Sequence, residues 1–142
     1  LVRTQMPDLP IFHARFEPSD LAEIGTGRRE PLASLAGARV LAVAAIGRFE
    51  SFVTVLERSG ASVAATIRYR DHHPYTRSDV DAILRRAREL GTRVVTTEKD
   101  AVKLESRLDA GESVWALRLE TRITEASRWE ALIDRVASGV RP

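Results

Sequence analysis

The feature that most limits how this chain can fold is a repeated alternation between short apolar runs and stripes of helical spacing. Val40-Leu41-Ala42-Val43-Ala44-Ala45-Ile46 is apolar throughout, as a strand buried on both faces requires, and it stops at Gly47. Phe49, Phe52, Val53 and Leu56 then recur at the spacing of one helical face until Ser59-Gly60. The unit repeats. Val63–Ile67 reads as a second strand, and Val80, Ile83, Leu84 and Ala87 form the next stripe. Ser78 is its expected N-cap, with Asp81 three residues on, and Gly91 its C-cap. Val94-Val95-Thr96-Thr97 is a third strand, followed by a helix carrying Ala101, Leu104 and Leu108. Val114–Leu117 is a fourth strand, and Trp129, Leu132, Ile133 and Val136 mark a last helix after Thr124.

Strand and helix alternating four times predict an α/β fold: a Rossmann-like parallel, or mostly parallel, sheet of about four to five strands, with right-handed crossovers and helices on both faces. With the second and third strands on either side of the first, the loops after Ile46, Arg70 and Thr97 meet at one rim. This α/β domain is expected over residues 37–142. Residues 1–36 read as a connecting segment with one strand at Ile11–Phe16, a turn or helix start at Pro18-Ser19-Asp20, and a loop through Gly25, Gly27, Arg28, Arg29 and Pro31. At 142 residues and 44% hydrophobic, the chain has the size and apolar content of one domain with a real core. Trp115 and Trp129 are assigned to that core.

Several function classes have no support. There is no cysteine, hence no disulfide framework, cysteine zinc site or cysteine nucleophile, which fits a reducing compartment. No apolar run approaches the roughly 18 to 20 residues of a membrane span, and the first residues lack the order of a signal peptide, so a soluble chain is expected. Twenty arginines against two lysines raise the pI, but the net charge is only +2, which argues against nucleic acid as a partner. Neither a G-x-S-x-G elbow nor the G-x-x-x-x-G-K-[ST] or G-x-G-x-x-G phosphate motifs occur.

Two polar clusters follow apolar runs. Asp71-His72-His73-Pro74-Tyr75 concentrates two of the three histidines. Proline biases His73 to an extended conformation, so the loop holds its histidines out from the sheet edge. A carboxylate beside an imidazole can fix its tautomer, an arrangement suited to proton relay. Solvated turn residues are the bland alternative. Asp71, His72 and His73 are too close in sequence to converge on a metal, and none is expected. In Thr97-Glu98-Lys99-Asp100, a strand passes into a helix start, where free N–H groups and the helix dipole favour an anion. The same residues also serve simply as a cap and its dipole complement, with Lys99 and Lys103 as a solvated edge.

In this order, Ala45-Ile46-Gly47, the Phe52-Val53 helix, the Asp71-His72-His73-Pro74-Tyr75 loop and Thr97-Glu98-Lys99-Asp100-Ala101-Val102-Lys103 resemble the carboxy-terminal half of the tetraacyldisaccharide 4′-kinase family, over roughly residues 9 to 120. The resemblance implies transfer of the ATP γ-phosphate to the 4′-hydroxyl of a tetraacylated disaccharide, a lipid A precursor, at the cytoplasmic face of the inner membrane of Gram-negative bacteria. In that family ATP and Mg²⁺ are held mainly by an amino-terminal P-loop domain, whose motif this sequence lacks, so the chain alone is expected to be inactive. Peripheral membrane contact would come through the full enzyme. By the match, His72 assists deprotonation of the sugar hydroxyl and Asp71 holds its tautomer, while His73, Tyr75, Thr97, Glu98, Lys99 and Asp100 line the substrate or nucleotide cleft. The family commonly reads G-I-G-N-P-E-R-F-F where this chain has Ala45-Ile46-Gly47-Arg48-Phe49-Glu50-Ser51-Phe52-Val53. That departure leaves a second expectation open: a Rossmann-like binding module derived from the family and no longer catalytic.

Overall fold

The apolar run from Val40 forms the centre of the sheet because every residue from Val40 to Ala44 is fully enclosed by neighbours on both faces. A computed structural model describes residues 10–139. Two compact units divide the chain, residues 18–119 and, separately, residues 1–17 with 120–142.

In the larger unit the strands are β1 (Ala14–Glu23, shared with the smaller unit), β2 (Arg29–Pro31), β3 (Arg39–Ala44), β4 (Ser62–Arg68), β5 (Arg93–Thr97) and β6 (Val114–Ile123, also shared), in the order β2-β1-β6-β5-β3-β4. The helices are α1 (Phe49–Arg58), α2 (Arg77–Leu90) and α3 (Glu98–Glu105). β3 pairs in parallel with β4 and β5, and β5 with β6. The expected neighbours of the central strand are therefore the observed ones.

Alternation along β3 sorts its side chains between two layers. Val40, Ala42 and Ala44 pack with Phe49, Phe52 and Leu56 of α1, whereas Leu41, Val43 and Ala45 pack with Val80, Ile83, Leu84 and Ala87 of α2 and Leu104 of α3. The chain steps from β3 to β4 over one face and back across to β5 and β6 over the other. That reversal keeps each crossover right-handed.

The sheet has six strands, because the amino-terminal segment adds two. Pro18-Ser19-Asp20 continues β1 and makes no turn or helix start there. Leu21 is fully buried, and Asp20 pairs with Arg29 and Arg118, so pairing and burial outweigh the local turn preference. Arg29–Pro31, read as loop, pairs antiparallel with β1. The α2 cap is Thr76, two residues before the expected Ser78, because Thr76 and Asp79 form a reciprocal capping box. Gly91 closes the helix in the left-handed conformation at φ 59°.

In the smaller unit, α4 (Ala126–Ala137) follows β6. The Thr124 amide donates to the His13 carbonyl at 2.9 Å, and the Glu125 carboxylate meets His13 through its amide at 3.0 Å and its ring Nδ1 at 2.7 Å. Trp129 meets Phe12 edge-on but stays 37% exposed, and α4 has no buried residue. Trp115 is a core residue as expected; Trp129 is not, because α4 presents its apolar stripe to solvent.

Candidate functional site

The connection after β3 leaves toward α1 on one face of the sheet, and the connection after the adjacent β5 leaves toward α3 on the other. Diverging connections between neighbouring parallel strands open a crevice at their carboxyl ends, the usual ligand position in such sheets. The loop after β4 completes the rim. The Tyr69 amide donates to the Ala44 carbonyl at 3.0 Å, the His72 amide to the Ala45 carbonyl at 3.3 Å, and a side chain at Gly47 would touch the Asp71 carboxylate at 3.7 Å.

Asp100 fills the crevice. It is fully buried, yet every part of its carboxylate is engaged: Oδ2 accepts from the Ala45 amide at 2.9 Å and the Thr97 hydroxyl at 3.0 Å, and Oδ1 receives Lys103 Nζ at 3.2 Å. Thr97 in turn caps α3, accepting from the Asp100 amide at 3.3 Å. Glu98 turns to β6, accepting from the Leu119 amide at 3.0 Å and Arg118 Nε at 3.2 Å. The Thr97 hydroxyl and the Asp100 carboxylate thus complement the start of α3. Lys99 is exposed and makes no ion pair or hydrogen bond among the described residues.

The two histidines have opposite environments. His72 is 89% exposed and sits at φ 60°, alone among the described non-glycine residues in that region. Its amide donates to Asp71 Oδ1 at 3.1 Å, and its Nε2 lies 3.9 Å from Asp71 Oδ2. An exposed imidazole beside a half-exposed carboxylate can accept a proton from a bound hydroxyl. His73 turns inward. Its ring stacks on Tyr69 with centroids 4.5 Å apart, meets Tyr75 edge-on at 5.3 Å, and contacts Asp79 Oδ2 through Nε2 at 3.1 Å. Tyr75 lies in the core, not on the rim surface. Burial, then the Asp100 charge, pushes its phenol well above the ordinary tyrosine range.

The rim therefore joins Asp71, His72, Thr97 and Asp100 through Ala45, while Tyr75 and His73 lie beneath it and Glu98 faces β6. Sequence reasoning did not find the Ala45 amide, Asp79 or Tyr69. Thr76-Arg77-Ser78-Asp79, with the spacing of a capping box, was the available signal for Asp79. A backbone amide carries no such signal. A shallow groove of about 410 Å³ lies between the Ala22–Gly27 turn, α3 and β6, and of these residues only Glu98 belongs to the two clusters.

The family model for tetraacyldisaccharide-1-P 4′-kinase (LpxK) matches residues 2–138. The chain belongs to the tetraacyldisaccharide 4′-kinase family. Tetraacyldisaccharide 4′-kinases from Parvibaculum lavamentivorans and Rhodospirillum rubrum are 37% and 38% identical over 98% and 94% of the chain, covering 39% and 37% of their own lengths. The Methylobacterium radiotolerans enzyme is 46% identical over 66% of the chain and 29% of itself. The chain thus spans about a third of the length of these kinase relatives. The fold is similar to part of LpxK from Aquifex aeolicus, crystallised with ATP: TM-score 0.62 at 22% identity, over 94% of this chain and 40% of that one.

Proposed function

We propose that this chain forms the part of a tetraacyldisaccharide 4′-kinase that brings a general base to the sugar hydroxyl. The observation that carries the reading is the presentation of His72 at the carboxyl rim, exposed, at positive φ and beside Asp71. Support comes from the family match over residues 2–138.

The residues present do not fit an ATP–Mg²⁺ site. The sequence has no G-x-x-x-x-G-K-[ST], Asp100 occupies the switch-point crevice, and no group of three or more acidic, histidine or cysteine ligands converges among the described residues. Nucleotide binding is therefore assigned to a P-loop part of the full kinase. In this reading, the His72 imidazole takes the proton of the 4′-hydroxyl of the lipid A precursor, and Asp71 orients the ring. The complete enzyme works at the cytoplasmic face of the inner membrane. No described helix is long and apolar enough to cross a membrane.

In a full-length kinase carrying this segment, His72→Ala is expected to lower kcat by roughly 10²- to 10⁴-fold, the range of general acid–base assistance. Phosphoryl transfer from labelled ATP to the disaccharide measures this. A loss below about threefold would remove His72 from the chemistry. The 142-residue chain alone is expected to turn over neither substrate.

A further inference from the structure

The Arg70–His73 segment is a β-turn closed by the His73 amide donating to the Arg70 carbonyl at 3.0 Å, with His72 in its third position at φ 60°. A turn with positive φ only there follows the type II pattern, which normally takes Gly or Asn at that position. Nothing in the His72 side chain holds this conformation, since the ring is almost fully exposed. The backbone must be held from both sides. On one side the His72 amide meets the Ala45 carbonyl. On the other stands His73, clamped as described between the Tyr69 face, the Tyr75 edge and Asp79.

Asp79 is an unusually fixed partner. A single oxygen, Oδ2, receives the Thr76 amide at 2.8 Å, the Thr76 hydroxyl at 2.7 Å and His73 Nε2 at 3.1 Å. Burial opposes its charge, but these donors together hold the carboxyl below the ordinary aspartate range. The carboxylate that starts α2 is thus the one that anchors the next-door histidine. With Nε2 engaged and one face covered, His73 is badly placed to carry a substrate proton. It is well placed to fix a turn.

We propose that His73 is a positioning residue: bound to the α2 capping carboxylate of Asp79 and stacked on Tyr69, it locks the 70–73 turn so that His72 is presented at a fixed point on the rim. The role rests on the reading of His72 as the base, and two measurements keep the two claims apart. The first uses the 142-residue chain and backbone NMR relaxation. His73→Leu keeps an apolar side chain beside Tyr69 and leaves the Thr76–Asp79 cap in place but removes both the ring stack and the donor to Asp79, and residues 70–73 are then expected to fall from the rigid backbone range, about 0.85 in order parameter, to below about 0.6, while α2 stays protected. His73→Gln, whose side-chain amide offers Asp79 a donor at similar reach, restores the order. A turn that stays rigid in His73→Leu overturns the proposal.

The second measurement uses a full-length kinase carrying this segment. His73→Leu is expected to lower kcat about tenfold or more with KM nearly unchanged, as misplacement of a reacting group does, and His73→Gln to recover most of the loss. If His72→Ala abolishes turnover while His73→Leu leaves kcat intact, the positioning role is wrong and the reading of His72 stands. Should His72→Ala itself leave kcat intact, the reading of His72 fails and the catalytic meaning of the turn fails with it, whatever its rigidity.

Discussion

His72 combines exposure with an uncomfortable backbone, and the two have separable costs. A non-glycine residue in the left-handed region is disfavoured by about 1–2 kcal/mol, part of which His72→Gly recovers, the remainder being offset by the greater freedom of glycine in the unfolded chain. His72→Gly is therefore expected to leave the stability of the chain equal or about 0.5–1 kcal/mol higher by urea denaturation, while removing the base. A strained residue that is less stable than its replacement is consistent with function at that position. Asp100 is the opposite case, a residue whose value is structural. Asp100→Ala leaves the Ala45 amide without its acceptor and Lys103 without its ion pair; with Lys103 partly solvated, a loss of about 2–3 kcal/mol is expected in the same assay.

At the scale of the element, α2 depends on its first turn. Thr76→Ala removes one half of the capping box and is expected to cost about 1 kcal/mol. Asp79 links that turn to pH. Its folded pKa lies below its unfolded value, so its contribution is complete above the unfolded carboxylate range and is lost as pH falls through the lowered folded pKa. The cost of Asp79→Asn should accordingly shrink as urea titrations are moved from neutral pH toward the acid limit. The elements legible in the sequence were those whose side chains report burial directly: the run at Val40, the stripes of α1 and α2, the glycine at position 91. Less legible were those decided by distant partners. Pro18-Ser19-Asp20 lies in a strand because Arg29 and Arg118 meet Asp20, and α4 keeps its period yet buries nothing. The rim was foreseen as a meeting of loops, but its division into a free and an anchored histidine depends on Tyr69 and Asp79, which lie outside both clusters.

For the whole molecule, the proposed function leaves nucleotide binding to a part of the kinase outside this chain. Millimolar ATP with Mg²⁺ is expected to leave its melting temperature unchanged, because only a ligand that binds the folded state raises it. A rise of several degrees would show a nucleotide site that the Asp100 carboxylate does not block. The central position of β3 has a further consequence, for synthesis rather than catalysis. Its partner β4 follows within a few tens of residues, but β5, on the other edge, pairs Val40 with Arg93, so a ribosome must deliver more than fifty further residues before that edge is covered. Until then the chain carries an apolar strand with one open edge, the usual template for unwanted association. A nascent chain paused before Arg93 is thus the species most in need of a chaperone.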